Sequence, residues 1–255
     1  MKSVGIIGFG RFGKILASIL QKGYSISAYD LKETHSTSNV NFCSLDRVLD
    51  ERVVFIAVPI RNFKTLIKDI SPKLKNGTTL IDVCSVKSFP VNVMLKYVSK
   101  DIGIIATHPM FGPDSFTTNT KLKMMMSNVR DPYSLFISWS EYFSNQGIDI
   151  IEMSPDEHDR LAARSQGITH FLGRMLKQFG IKKTQIDTQG FKDLLDLVEQ
   201  TCNDTWDLYT DLQLYNPYTL DTISELRKST ESLDKQLREI KNAVSYTHLT
   251  LPTKA

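Results

Sequence analysis

Cysteine is scarce: Cys43, Cys84 and Cys202 are the only three in 255 residues, odd in number and far apart. That spacing supplies neither a disulfide framework nor a metal-binding set, and it reads as free thiols in a reducing compartment. No apolar run approaches the roughly 18 residues of a membrane span, so no membrane partner is expected. Charge of one sign is not in excess either. Lys and Arg number 31 against 28 Asp and Glu, a formal net charge of +3, too mild and too evenly spread to suggest a nucleic-acid surface. Repeats and low-complexity tracts are missing, and 41% hydrophobic with 23% charged residues excludes a disordered chain. The chain enters a strand-like run almost at once, which leaves no room for a targeting peptide and makes a cytoplasmic location the expectation.

What is present is an alternation. Val4–Gly8, Ser25–Tyr29, Val53–Val58, Thr78–Val83 and Ile102–Ala106 are short β-branched runs suited to buried parallel strands, and Phe12–Leu20 between the first two has helical spacing. This βαβ pattern predicts an α/β fold, an N-terminal Rossmann-type doubly wound parallel sheet over residues 1–153. After Ser154 and Pro155 the period changes to helical over Asp156–Phe179, Phe191–Leu214 and Tyr218–Ala243. An all-helical C-terminal domain is therefore expected over 154–243, for substrate binding and dimerisation. In its last helix Ile223, Leu226, Leu233, Leu237 and Ile240 fall on a heptad seam, either packed on their own domain or forming a homodimer contact. Residues 244–255 resemble the translated end of a sequencing-library adapter and are expected to be a non-native tail, so His248 is given no role. His35 lies in a Ser/Thr-rich loop and reads as solvent-exposed.

Gly8, Gly10 and Gly13 stand between the first strand and first helix in the spacing of a dinucleotide-binding turn. The first glycine makes the turn, the second admits the pyrophosphate, and the third permits close helix packing. The helix N-terminus then presents free N–H groups to the phosphates. Asp30 ends the second strand at the interval expected for a ribose-binding carboxylate. It favours NAD and repels the 2′-phosphate of NADP, while nearby Lys32 softens that repulsion and keeps NADP possible. Arg11, Phe12 and Pro59 complete the expected cofactor-binding set.

Two further segments carry chemistry: Asp82 through Ser85 to Lys87, and Thr107-His108-Pro-Met-Phe-Gly-Pro113. With Ser165–Arg174, Leu197–Asp204, Asp207–Tyr209 and Tyr215–Pro217, they resemble the prephenate/arogenate dehydrogenase family, most of all its plant-type branch. The resemblance spans nearly all of residues 3–240. It implies oxidative decarboxylation of arogenate or prephenate, small acids with a reacting cyclohexadienol ring, in tyrosine biosynthesis. A hydride goes to the nicotinamide, carbon dioxide leaves, and the ring becomes aromatic. His108 is then the expected acceptor of the hydroxyl proton. Ser85 is expected to hydrogen-bond the hydroxyl and the imidazole or nicotinamide amide, to cap a helix begun by Val86, or both. Lys87 reads as structural or phosphate-facing.

From the helical half, the resemblance places His158 beside the interdomain cleft and matches Thr188 to a substrate-side threonine. Gln166 and His170, one helical turn apart, read as a ligand-facing pair. Asp204 matches an acidic position that goes with arogenate use, although adjacent Asn203 leaves room for a one-residue slip. Arg164, Arg174 and Lys192 are candidates for binding the substrate carboxylates. Two other readings remain open: a β-hydroxyacid dehydrogenase or imine reductase, whose lysine motif is replaced here by Arg164–His170, and a non-catalytic NAD-binding protein.

Overall fold

A computed structural model describes residues 2–32, 40–112, 116 and 121–249, the side chains of 245–249 excepted. His35, Pro113 and residues 250–255 lie outside the described residues. The elements follow in the order β1 (Ser3–Ile7), α1 (Arg11–Leu20), β2 (Ser25–Tyr29), β3 (Val40–Phe42), α2 (Leu45–Val48), β4 (Val53–Ile56), α3 (Ile60–Ile70), β5 (Thr79–Asp82), α4 (Ser88–Tyr97) and β6 (Gly103–Pro109). Then come β7 (Leu122–Arg130), α5 (Phe136–Asn145), β8 (Ile148–Glu152), α6 (Pro155–Ala162), a π-turn over Ala163–Gly167, α7 (Ile168–Phe179), α8 (Gln189–Cys202), α9 (Trp206–Tyr215) and α10 (Thr219–Leu249).

The eight strands form one sheet in the order β3-β2-β1-β4-β5-β6-β7-β8. All neighbours are parallel except β6 and β7. Its first six strands have the doubly wound order expected of a dinucleotide-binding sheet. The apolar runs read as central strands are buried on both faces, which is why they lack period-two alternation. On one face Leu16 and Leu20 of α1 join Phe136, Trp139 and Phe143 of α5 over Ile6, Phe55 and Ile105. On the other, Phe63 and Ile67 of α3 and Met94 of α4 cover Val54, Leu80 and Ile104.

The chain divides into two compact units, and the division differs from a boundary at 153/154. One unit runs through Ala162 and takes up Asp204–Pro217; the other comprises Ala163–Asn203 and the chain from Tyr218 on. Helix α6 therefore belongs with the sheet, and so does α9. The reasons are polar as well as apolar. Arg61 on α3 donates from Nε to both Asp211 carboxylate oxygens at 3.0 Å and from a terminal nitrogen to the Asp207 carbonyl at 2.8 Å. Phe89 packs on Tyr215 with centroids 4.6 Å apart, and Asn216 Nδ2 donates to the Asp159 carbonyl at 2.9 Å.

The long helices expected in the second half are also interrupted. Asp156–Phe179 contains the π-turn, and Phe191–Leu214 breaks at Asn203–Thr205, where Thr205 accepts from the Leu208 N–H and starts α9 anew. Asn, Asp and Thr compete with the helical backbone through their own side chains, which makes this run a natural stop and start. In the second unit α7 lies against α8, where a Cβ at Gly173 would fall 1.9 Å from Thr201 Oγ1. Helix α10 continues through Leu249, past the boundary expected at 244. No helix among the described residues is long and apolar enough to cross a membrane.

Candidate active site

The sheet register collects the site of the first unit on one edge. Tyr29, Ile7, Ile56, Asp82 and Ala106 stand side by side across five parallel strands. The segments that leave this row at its carboxyl end carry Asp30, the glycine turn, Pro59, Ser85 and His108. Ligands in open α/β sheets bind at this edge.

The glycine turn has the shape its spacing implies. Gly8 has φ +96°, and a Cβ there would meet the Ala57 carbonyl oxygen at 2.5 Å. At Gly13 a Cβ would lie 2.3 Å from the Gly8 carbonyl oxygen, so the helix could not come so close with any other residue. Gly10 differs: among the described residues no heavy atom lies within 4 Å of an added Cβ. The protein's own packing does not demand glycine at that position. The free space beside the N-terminus of α1, which has no side-chain cap, fits the pyrophosphate of a dinucleotide. Arg11 is exposed at the first turn of α1, and Phe12 packs on Phe111 with centroids 6.1 Å apart. Pro59 precedes α3 as its N-cap residue and is exposed. Asp30 accepts from the Phe9 N–H at 2.6 Å and from the Lys32 N–H at 2.9 Å, one bond to each oxygen. It braces the turn and still has lone pairs for ribose hydroxyls.

At the ends of β5 and β6 lies a buried polar cluster. Lys87 and Asp82, both 0% exposed, form an ion pair, and Lys87 Nζ also donates to the Thr107 carbonyl. Thr107 Oγ1 donates to the Asp82 carbonyl at 2.6 Å and ties the two strand ends directly beneath His108. Burial pushes the Asp82 carboxyl up, against the pull of the Lys87 ammonium. Lys87 is therefore structural, with its charge committed to the protein interior. Burial likewise pushes the Cys84 thiol up, which keeps it neutral and unreactive.

His108 is 3% exposed. Its Nδ1 lies 2.7 Å from Nε2 of His158, which is 2% exposed, and the rings meet edge to face. His158 Nδ1 is 2.9 Å from Asp159 Oδ1, and Asp159 accepts 2.8 Å bonds from the N–H groups of Lys87 and Ser88. Burial first, and then the neighbouring His158 and Lys87, hold the His108 imidazole well below its ordinary value. Burial works against the Asp159 charge, but hydrogen bonds from His158 and from Ser88 and Lys87 outweigh it and hold that carboxyl below its usual range.

Both ring nitrogens of His158 bond within the protein, to His108 and to Asp159. One expectation changes here: Ser85 does not cap a helix, since α4 starts at Ser88 and Asp159 receives its first N–H groups. The half-buried Ser85 hydroxyl stays uncommitted among the described residues. Asp159, and Asp82 as the partner of Lys87, received no role from sequence, although the adjacent His158 and Asp159 were a usable signal.

The second unit holds the remaining candidates. Gln166 sits in the π-turn, its Oε1 buried without a hydrogen-bond partner among the described residues, and His170 is half-buried in the first turn of α7. Such π-turns recur at functional sites. Thr188 is exposed and caps α8, accepting from the Phe191 N–H at 3.4 Å. Arg164 pairs with Glu225 at 2.9 Å, which commits one of the three candidate cations. Asp204, half-buried, begins the stretch that belongs with the first unit. No cluster of metal-ligating side chains occurs among the described residues.

A glycine turn shaped for a pyrophosphate, a ribose-side carboxylate and a buried histidine on one sheet edge define a Rossmann-type dinucleotide-binding protein. Comparison with known proteins narrows the class. The family model of the prephenate dehydrogenase nucleotide-binding domain matches residues 17–125, and that of a TYRAAT1-like C-terminal domain matches 175–248. Arogenate dehydrogenase 2, chloroplastic, of Arabidopsis thaliana is 33% identical over 248 residues, 92% of this chain and 69% of that protein. Arogenate dehydrogenase 1, chloroplastic, of the same plant is 36% identical over 250 residues, again 92% of this chain but 39% of the relative's length. The crystal structure of prephenate dehydrogenase from A. aeolicus with hydroxyphenyl propionate and NAD+ superposes with a TM-score of 0.74 at 21% identity, covering 97% of this chain and 95% of that one. This chain belongs to the prephenate/arogenate dehydrogenase family, and its likeness is to the plant arogenate dehydrogenases.

Proposed function

We propose that this chain oxidises and decarboxylates arogenate to tyrosine, with prephenate to 4-hydroxyphenylpyruvate as the alternative substrate. The observation that carries this reading is His108: a buried, neutral imidazole at the carboxyl edge of a dinucleotide-binding sheet, in a chain of this family. A dinucleotide held by the Gly8–Gly13 turn and Asp30 would supply the hydride acceptor for the hydroxyl-bearing carbon. His108 accepts the hydroxyl proton as that carbon becomes a carbonyl. The bond to the ring carboxylate then breaks, carbon dioxide leaves, and its electron pair makes the ring an aromatic phenolate. The proton returns from His108 to the phenolate oxygen, so the base is restored without net proton release. Ser85, whose hydroxyl is uncommitted among the described residues, orients the substrate hydroxyl or the nicotinamide amide. Gln166, His170, Thr188 and Asp204 are the proposed substrate-binding residues. Rate comes from orientation and from a base kept neutral, since aromatisation supplies the driving force. Purified protein with NAD and either substrate should produce NADH together with equimolar carbon dioxide. NADH without carbon dioxide would indicate a simple alcohol dehydrogenase.

Asp204 bears on substrate choice. Arogenate has an ammonium where prephenate has a keto group, and a carboxylate attracts the first and penalises the second. The plant relatives named as arogenate dehydrogenases support the same preference. Asp204→Asn should move kcat/KM toward prephenate by roughly tenfold or more, the scale of a lost charge-assisted hydrogen bond of about 1.5–3 kcal/mol. Equal preference in both proteins would remove Asp204 from the site. NAD is the favoured cofactor, because the Asp30 carboxylate repels a 2′-phosphate. A homodimer is supported by Leu233, Leu237 and Ile240, 61–67% exposed on one stripe of α10, and a reducing compartment, of which the cytoplasm is one, fits the free cysteines.

A further inference from the structure

Behind His108 the hydrogen bonds form a line with a defined direction. Asp159 is its anchor: the carboxylate receives two backbone N–H bonds and is 0% exposed, so toward His158 it can only accept. The hydrogen of His158 therefore sits on Nδ1, 2.9 Å from Asp159. In a neutral ring that leaves His158 Nε2 as an acceptor, and its neighbour at 2.7 Å, His108 Nδ1, must be the donor. It follows that His108 carries its hydrogen on Nδ1 and keeps a bare lone pair on Nε2. We propose that His158 and Asp159 are positioning residues that hold His108 in this one tautomer, so that Nε2 is always the basic nitrogen.

The proposal rests on the reading above, in which His108 takes the substrate's hydroxyl proton. With the other tautomer, Nε2 would bear a hydrogen and could only donate to the hydroxyl. The remaining polar groups on this side do not compete for the role. Lys87 and Asp82 are bonded to each other, and the Thr107 hydroxyl is spent on the Asp82 carbonyl. Asp159 also receives the first N–H groups of α4, so one carboxylate joins α4, α6 and the base.

Two measurements test this. Long-range nitrogen-15 correlation spectra of the histidine-labelled protein, without substrate, report which ring nitrogen bears the hydrogen. Wild type should show His108 with Nδ1–H and a bare Nε2, and His158→Gln, whose amide oxygen still accepts from Nδ1, should keep that signature. In His158→Leu the signature should be lost. Its kcat should fall on the order of 100-fold, within the range spanned by general-base catalysis, with KM changed less than about threefold. His158→Gln should recover most of that loss. A wild-type His108 protonated at Nε2, or a folded His158→Leu protein with normal kcat, would overturn the proposal. The spectrum needs no substrate, so a failure of the proposed reaction is read separately, from the absence of turnover in wild type.

Discussion

At the scale of the residue, the proposed reaction depends on keeping one imidazole neutral. Replacing His108 with Asn should lower kcat by roughly two to four orders of magnitude, while dinucleotide affinity, measured by fluorescence titration, should hold because the glycine turn is untouched. The burial that holds His108 below its ordinary value of 6.5 also has a consequence for stability. In the unfolded chain this histidine takes up a proton as pH falls through 6.5, whereas in the folded protein it stays neutral until much lower pH. The unfolded state then binds more protons, so stability is full above 6.5 and declines as pH drops below it. Thermal melts across this window should show the decline in wild type and a shallower one in His108→Asn. An identical slope in both would mean that other groups set the acid sensitivity.

At the scale of the element, the first turn of α1 and the ends of β5 and β6 make separable predictions. Gly13→Ala drives a Cβ into the Gly8 carbonyl and should lower the melting temperature. Gly10→Ala meets nothing and should melt like wild type, yet lose dinucleotide affinity, because the new methyl occupies space meant for a pyrophosphate. Equal loss of stability in both variants would contradict this division. The Asp82–Lys87 pair should behave as buried ion pairs do. Lys87→Met leaves a buried carboxylate uncompensated and should cost about 3–5 kcal/mol in urea unfolding, and adding Asp82→Asn should recover part of it. A loss below about 1 kcal/mol for Lys87→Met would show that Asp82 is neutral and the bond ordinary.

At the scale of the whole molecule, α10 raises the question of assembly. Leu233, Leu237 and Ile240 are well exposed, while Ile223 and Leu226 on the same seam are half-buried. A second copy is the natural cover for such a stripe. The double variant Leu233→Glu, Leu237→Glu should sediment as a monomer where wild type sediments as a dimer. A monomeric wild type at micromolar concentration would remove the proposal.

Much was legible in the chain before any fold was known. The buried parallel strands declare themselves as apolar runs because both their faces are covered, and the glycine turn declares itself because steric demands at Gly8 and Gly13 act over a few residues. His108 and Ser85 were readable as candidates through their flanking motifs, and Asp30 through its interval from the turn. What tertiary structure alone decided concerns groups distant in sequence. Position 108 meets 158, and 87 meets 159, only because the sheet edge and α6 come together. That packing makes His158 the buried partner of His108. It also gave the start of α4 to Asp159 instead of Ser85, and drew Asp204–Pro217 to the sheet-bearing unit through Arg61. Local sequence specifies periodicity and turns because those forces act between near neighbours. Which nitrogen of a histidine bears its hydrogen depends on a carboxylate brought alongside by the fold, and no run of residues read in isolation contains that information.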